Sequence, residues 1–132
     1  MDEKLNRPLG PLAEKMGIVL TRFTDDICVC EMPVAGNTQP IGVLHGGANG
    51  VLAETAGSVL AVRQAPQGMR ALGAHLEVNH RKPVRTGTVS CTATLDKSDG
   101  RKRWYNLVLK NDAGEVTADG VLLTVDVPSP QA

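Results

Sequence analysis

Residues 46 to 62 read GGANGVLAETAGSVLAV, the only long stretch of this 132-residue chain whose apolar residues recur with helical spacing. On a helical wheel, large and small apolar residues of this segment form a stripe along one side. That side consists of Ala48, Leu52, Ala56, Val59 and Leu60. Such a stripe is typical of a helix that packs against a hydrophobic core. The spacing therefore predicts one long helix that begins at Gly46 and ends near Val62.

The opposite side of this predicted helix surrounds a single carboxylate, Glu54. The neighbours of Glu54 on the wheel are Gly47, Gly50, Val51, Gly57, Ser58 and Ala61. Each glycine in a helix costs about 1 kcal/mol relative to alanine. These glycines therefore indicate either close approach of another helix or strand, or room for a ligand. Because no other charged residue lies between Pro40 and Arg63, we interpret Glu54 as a functional carboxylate rather than a solvated surface glutamate.

Strand-like segments flank the long helix on both sides. The predicted elements are a short helix over 11–16, strands over 18–23 and 27–32, a polar loop over 35–42, the long helix, and strands over 72–78, 89–95, 104–110 and 116–125. Turn-forming residues, Asp99-Gly100 and Asp112-Ala113-Gly114, stand where hairpins would close. One long helix against a mainly antiparallel six-stranded sheet is an α+β domain.

The composition is that of one globular domain with a single core. Hydrophobic residues make up 42% and charged residues 21% of the chain. The 14 basic residues balance the 14 acidic ones, which argues against nucleic acid or an acidic membrane as the partner. Aromatic residues are only 2%, so base-stacking platforms are also excluded. We expect one domain over 1–132, with residues 1–10 and 128–132 loosely ordered.

The N-terminal sequence and the cysteines bear on location. The first twelve residues, MDEKLNRPLGPL, are charged and broken by prolines, so we expect no signal peptide. No stretch approaches the roughly 20 apolar residues of a membrane-spanning helix. Three cysteines, Cys28, Cys30 and Cys91, are an odd number and lack nearby ligands for a metal. We therefore expect buried thiols, no metal site and a cytoplasmic protein.

A second feature stands at the start of the long helix, where the sequence is His45-Gly46-Gly47. The unpaired N–H groups of a first helical turn, together with the helix dipole, can stabilise a developing oxyanion. Glycine lets a substrate approach this backbone closely. The other interpretation is a helix entry that needs glycine only for flexibility, and this feature alone does not separate the two.

The segment from Gln39 to Ser58, QPIGVLHGGANGVLAETAGS, resembles hotdog-fold acyl-CoA thioesterases. It is similar to the phenylacetate-pathway and menaquinone- or enterobactin-pathway type, related to 4-hydroxybenzoyl-CoA thioesterases. His-Gly-Gly with an acidic residue nine positions after the histidine is a fairly specific signal. The likeness extends over most of the chain, including Met-Pro-Val at 32–34 and Val-Asn-His at 78–80. It implies a long helix wrapped by an antiparallel sheet, in agreement with the pattern of the residues.

The resemblance also assigns roles to individual residues. Glu54 matches the catalytic carboxylate, and Gly46 matches the backbone N–H that polarises the thioester carbonyl. Gln39 and His45 match side chains that position the thioester. Ser58 matches the Ser or Thr that orients water, and the sequence places it one turn after Glu54. In a separate and weaker match, His80 corresponds to a histidine near the acyl or pantetheine path.

Two basic clusters are candidates for holding the phosphates of coenzyme A, which would be part of the substrate rather than a cofactor. The first consists of Arg81, Lys82 and Arg85, and the second of Arg101, Lys102 and Arg103. Basic turns are usually only solvated surface. The resemblance favours binding for the group, more than for any single residue in it.

The chemistry of a thioesterase restricts what Glu54 does. Thioester hydrolysis needs a proton acceptor or a nucleophile, with stabilisation of a tetrahedral oxyanion. The sequence has no Ser-His-Asp set with a nucleophile elbow. Glu54 would therefore act itself, either as general base or by attack that forms an acyl-glutamyl anhydride. Both routes fit the sequence.

The spacing of the two groups bears on assembly. Gly46 and Glu54 lie about 12 Å apart along one helix, farther than a glutamate side chain reaches. A two-fold dimer with antiparallel helices would bring Gly46 of one chain to Glu54 of the other. The resemblance likewise implies two composite sites per homodimer, within a homotetramer.

Three other functions fit parts of the pattern. A hotdog dehydratase also pairs a loop histidine with a helix carboxylate, although that group usually has a Phe-Pro-Gly style loop where this chain has Gly-Gly. An acyl-CoA-binding module would not need Glu54. In a pure interaction protein, the glycines would be only a dimer seam. We favour hydrolysis of acyl-CoA, with aromatic or small acyl groups preferred over long chains.

Overall fold

The computed structural model describes residues 5–130. Its elements in chain order are α1 (Pro11–Met16), β1 (Val19–Phe23), β2 (Ile27–Pro33), α2 (Gly46–Gln64), β3 (Met69–His80), β4 (Thr88–Asp99), β5 (Lys102–Lys110) and β6 (Val116–Pro128). The six strands form one sheet in the order β1-β2-β4-β5-β6-β3, and all neighbours are antiparallel. The predicted α+β architecture, one long helix against a six-stranded antiparallel sheet, is confirmed.

The helices and turns lie where the sequence predicts them. α1 ends at Gly17, whose φ of 76° places it in the left-handed region that favours glycine. Gly100 and Gly114 also have positive φ, 61° and 80°, in the β4–β5 and β5–β6 turns. The later strands are longer than predicted because their ladders continue through polar residues. The β4–β5 ladder, for example, extends to the pair Asp99 and Lys102 beside the turn.

The buried side of α2 is broader than predicted. Ala48, Leu52, Ala56 and Leu60 are buried as expected, whereas Val59 is only half-buried. Two residues assigned to the face around Glu54, Gly57 and Ala61, are instead buried. A Cβ on Gly57 would lie 2.8 Å from Cδ2 of Leu122. Gly57 is therefore a point of close helix–sheet approach rather than space for a ligand.

A bulge divides strand β3. Gly73 pairs with Thr124 and His75 with Leu123, so Ala74 is an extra residue in the ladder. Side chains on both sides of the bulge pack against the core, namely Ala71 before it and Leu76 and Val78 after it. Without the extra residue, the alternation of a strand would turn one of these two groups away from α2.

The three thiols and the chain ends complete the fold. Cys28, Cys30 and Cys91 are free and buried, as expected. The expected loose ends lie partly outside the described residues, at 1–4 and 131–132. Near them, Leu5 and Leu9 pack against the core, and the Ser129 N–H donates to the Gly68 carbonyl. No helix within residues 5–130 is long and apolar enough to cross a membrane.

Candidate active site

Glu54 projects from the middle of α2 toward the bulge of β3. A Cβ on Gly73 would lie 3.0 Å from Oε2 of Glu54. The exposed Glu54 side chain borders a cavity of about 440 Å³ whose lining includes Leu9, Val51 and Ser58. Within residues 5–130 it forms no ion pair. The carboxylate is therefore open to a ligand or to water.

Ser58 lines the same cavity as Glu54, one helical turn farther along α2. No hydrogen bond joins the two side chains in the described part of the chain, so each remains available to a third group such as water. Thr55, which also lines this cavity, donates its hydroxyl to the Val51 carbonyl at 2.7 Å. Ser58 is thus a hydroxyl beside Glu54 that has no hydrogen-bond partner among residues 5–130.

The first turn of α2 presents one free N–H group. His45 is the N-cap, and its Nδ1 accepts a hydrogen bond from the Gly47 N–H at 2.8 Å. The Ala48 N–H donates to the His45 carbonyl at 2.9 Å. The Gly46 N–H has no acceptor among residues 5–130, so it is the donor left for a ligand. His45 keeps only its Nε2 for a substrate, because Nδ1 already caps the helix.

Gln39 is oriented by its own loop. Its Oε1 accepts a hydrogen bond from the Ile41 N–H at 3.0 Å. The amide Nε2 of Gln39 is therefore the free donor of this side chain. Gln39, Gly46 and His80 line a cavity of about 350 Å³, together with Arg81 and Lys82. Five of the predicted site residues thus meet at one cavity.

Asn49 lines this cavity too, and the sequence interpretation missed it. Its side chain is buried, with 6% of its surface exposed, and its Nδ2 lies 3.2 Å from Nδ1 of His80. The helical wheel contained a signal, since Asn49 shares the buried stripe with Leu52, Ala53 and Ala56. A polar residue in a buried stripe requires a partner.

The two halves of the predicted site are separate within one chain. The cavity beside Gly46 shares no lining residue with the cavities that border Glu54. The separation of eight positions between the two groups corresponds to a rise of about 12 Å along α2. One chain therefore places the Gly46 N–H in one cavity and the Glu54 carboxylate in another.

Ion pairs restrain the first basic cluster without burying it. Arg81 pairs with Asp119 at 3.0 Å and Lys82 with Glu115 at 2.5 Å, and all four side chains are well exposed. The hydrogen bond from Arg81 lowers the pKa of Asp119, and that from Lys82 lowers the pKa of Glu115. Exposed pairs of this kind are weak. Arg81 and Lys82 thus remain able to bind a phosphate at the rim of the cavity.

The second cluster is divided, and the prediction for one of its members is wrong. Arg101 and Lys102 are exposed at the β4–β5 turn, as a phosphate-binding role requires. Arg103 is buried, with 7% exposed, and it donates hydrogen bonds to both carboxylate oxygens of Asp126. It also donates to the Ala61 carbonyl and the Tyr105 hydroxyl. Arg103 therefore ties α2 to the sheet and is not available to coenzyme A.

Comparisons with known proteins place these features in a family. The model of the thioesterase superfamily matches residues 41–117. The proofreading thioesterase EntH of Cronobacter sakazakii is 40% identical over 82 residues, 61% of this chain and 60% of EntH. The match thus spans less than two thirds of this curated relative.

Solved structures share the fold. The thioesterase HI1161 of Haemophilus influenzae is 28% identical, with a TM-score of 0.85 over 89% of this chain and 82% of its own. The BH2602 protein of Bacillus halodurans, solved with CoA, is 23% identical, with a TM-score of 0.79 over 88% of this chain and 75% of its own. This likeness confirms the hotdog architecture. Because the family model matches more than half of the residues of this chain, the chain belongs to the thioesterase superfamily.

Proposed function

We propose that this protein hydrolyses acyl-CoA thioesters at two composite sites of a homodimer. The observation that carries the proposal is the free Gly46 N–H, which lies in a cavity with Gln39 and His80, apart from the carboxylate of Glu54. Each site would take Gly46 from one subunit and Glu54 from the other. Family membership and the likeness to EntH support hydrolysis as the reaction.

In the proposed mechanism, the Gly46 N–H polarises the thioester carbonyl and stabilises the oxyanion that forms from it. The free Nε2 of Gln39 and that of His45 help to position the thioester. If Glu54 is the base, it takes a proton from a water held by Ser58, and the hydroxide attacks the carbonyl carbon. The C–S bond then breaks, and the departing thiolate recovers the proton as CoA-SH. If Glu54 attacks directly, the thiolate leaves first, and water then hydrolyses the acyl-glutamyl anhydride.

The edge of the sheet supports the homodimer. Within residues 5–130, β3 pairs on one side only, with β6, and it leaves Leu72 46% exposed. An unpaired edge of this length is a surface that proteins normally cover. A two-fold axis beside β3 would also make the two α2 helices antiparallel and bring Glu54 to the partner's cavity. Assembly of two such dimers into a homotetramer is part of the same proposal.

The charges and the apolar lining support the substrate class. Arg81 and Lys82 lie at the rim of the Gly46 cavity. Arg101 and Lys102 are exposed at the β4–β5 turn. These cations suit the phosphates of coenzyme A, the ligand that the BH2602 structure contains. The cavity beside Glu54 has the apolar lining that an acyl group needs, from Leu9, Leu12, Val51 and Val59. We propose an aromatic or small acyl group there, and a cytoplasmic enzyme, which suits three free thiols.

Thiol release from benzoyl-, phenylacetyl- and fatty acyl-CoA tests the activity. We expect the wild type to turn over the aromatic thioesters faster than the long-chain ones. Glu54→Gln should lower kcat at least ~10²-fold with little change in KM, because the carboxylate acts in the transition state. Glu14→Gln, an exposed glutamate on α1, is the matched control and should keep full activity. No turnover of any thioester would refute the function, and an unchanged kcat in Glu54→Gln would remove Glu54 from it.

A further inference from the structure

The buried side chain of Asn49 contacts the exposed His80 in the cavity at the start of α2. Its Nδ2 lies 3.2 Å from Nδ1 of His80, while its Oδ1 is buried without a partner among the described residues. An unpaired buried carbonyl destabilises a fold, and an alanine or leucine would fill this position without that cost. The asparagine is therefore explained by its contact with His80 rather than by packing.

This contact points to one nitrogen of His80 as the carrier of its proton. An amide nitrogen only donates, so a hydrogen bond between these two atoms requires Nδ1 of His80 to accept, and a neutral imidazole that accepts at one nitrogen has its N–H at the other. The proton is then on Nε2. The ring lies over the first residue of α2, since a Cβ on Gly46 would be 3.1 Å from Nε2 and 3.3 Å from Cε1 of His80. Gly46 and His80 also line the same cavity, so a ligand there would meet both residues.

Building on the proposed function, we propose that Asn49 is a positioning residue that holds His80 with its proton on Nε2. The Nε2–H of His80 then joins the Gly46 N–H as a second donor to the thioester carbonyl oxygen. Two converging donors stabilise an oxyanion better than one. The arrangement also explains the glycine at 46, because any side chain there would press on the His80 ring.

The tautomer of His80 tests the positioning directly, without turnover. Two-bond ¹H–¹⁵N correlations of the ring distinguish a proton on Nε2 from one on Nδ1. The chain has only three histidines, and His80→Gln assigns the signal. We expect protonated Nε2 in the neutral wild-type ring. In Asn49→Asp the carboxylate, which can only accept, should move the proton to Nδ1. A wild-type ring with its proton on Nδ1 would overturn the proposal, whether or not the variants fold.

Kinetics test the role at the carbonyl. The amide nitrogen of glutamine can replace Nε2 of histidine, and that of asparagine replaces Nδ1. We therefore expect His80→Gln to keep most of kcat, and His80→Asn and His80→Ala to lose at least ~10-fold. Asn49→Asp and Asn49→Ala should lower kcat ~10-fold with KM within about twofold, since they act in the transition state. Asn106→Asp, an exposed asparagine of β5, should behave as wild type.

The outcomes separate this inference from the proposed function. Equal activity of His80→Gln and His80→Asn would overturn the second donor, even if the wild type is a thioesterase. If the wild type released no thiol from any acyl-CoA, the proposed function and the donor role would both fail. The tautomer measurement would still decide whether Asn49 positions His80.

Discussion

The carboxylate of Glu54 lies directly against residue 73, a glycine with no side chain of its own. An ideal Cβ on Gly73 would lie 3.0 Å from Oε2 of Glu54, tighter than nine in ten real Cβ contacts. Gly73 faces α2 because it stands immediately before the bulge of β3. After the bulge, Leu76 and Val78 face the helix again. One irregularity in the strand thus makes room for Glu54 and still allows the rest of β3 to pack.

Gly73→Ala should therefore lower kcat about tenfold, because the new methyl group moves the Glu54 carboxylate by a few tenths of an ångström from its reacting position. Steady-state thiol release measures this effect. Stability should change little, since Glu54 is exposed and its carboxylate can shift.

A double-mutant cycle is the control for this prediction. If Gly73→Ala acts through Glu54, it should have no further effect on the residual activity of Glu54→Ala. A tenfold loss that persists in the Glu54→Ala background would show that Gly73 acts by another route.

Gly46 and Glu54 could be singled out from the sequence because both signals are local. Glu54 is the only charge in a long apolar segment, and Gly46 opens a helix. Gly73 and Asn49 could not be assigned in this way. The role of Gly73 depends on a bulge that shifts the register of β3, and that of Asn49 depends on His80, 31 residues away. Contacts of this kind arise from tertiary structure, which periodicity does not encode.

For Arg103, the sequence contains two conflicting signals: the alternation of a strand and the run of basic residues around it. Its neighbours Arg101 and Lys102 suggest an exposed basic turn, yet the alternation of β5 places Arg103 on the buried face with Tyr105, Leu107 and Leu109. A strand that starts at Lys102, rather than at residue 104 as predicted, includes Arg103 in this alternation. Because the predicted strand began two residues too late, Arg103 was assigned to an exposed turn and to phosphate binding.

Two glycines of α2 should respond in opposite ways to alanine. A Cβ on Gly57 would lie 2.8 Å from Cδ2 of Leu122, inside a packed core. The clash should destabilise Gly57→Ala by about 1–3 kcal/mol. The higher helix propensity of alanine offsets ~1 kcal/mol of this cost. A Cβ on Gly50 would make an ordinary contact of 3.8 Å with Leu76. Gly50→Ala should then stabilise by up to ~1 kcal/mol. Urea denaturation measures both, and equal effects would contradict the division of the glycines into two groups.

The burial of Tyr105 makes stability at alkaline pH depend on its phenol. Burial raises the pKa of the Tyr105 phenol to about 12, from an ordinary value of 10.0. The phenol of Tyr105 has a higher pKa in the folded protein than in the unfolded chain. The protonated phenol therefore contributes to stability in full below pH 10, and this contribution is lost as pH rises from 10 toward 12. At pH 11 the loss should be roughly 1.4 kcal/mol.

Tyr105→Phe provides the comparison for this effect. At pH 8 the variant should be less stable by about 1–2 kcal/mol, since the phenol donates to Gln64 and accepts from Arg103. The difference should shrink between pH 10 and pH 11 in urea denaturation, because only the wild type loses the contribution of the phenol. A difference that stays constant up to pH 11 would show that the phenol titrates with its ordinary pKa.

Subunit mixing should show whether the active site is shared. Glu54→Ala removes the carboxylate, and Gly46→Val places a side chain against His80, where even a Cβ would lie 3.1 Å from Nε2. Each variant alone should be inactive. In a mixed dimer with shared sites, one site carries both lesions and the other carries neither.

Unfolding and refolding an equal mixture of these two variants should restore about a quarter of wild-type activity, because about half of the dimers are mixed and each of those has one intact site. A mixture of Glu54→Ala with Glu54→Gln is the matched control and should stay inactive, since no combination of its subunits supplies the carboxylate. Gel filtration before and after mixing establishes that both variants fold and assemble. If both groups came from one chain, every site would carry a lesion, and the mixture would stay as inactive as the control. Well-folded mixed dimers without activity would therefore refute the shared site and require that Glu54 reach the Gly46 cavity of its own chain.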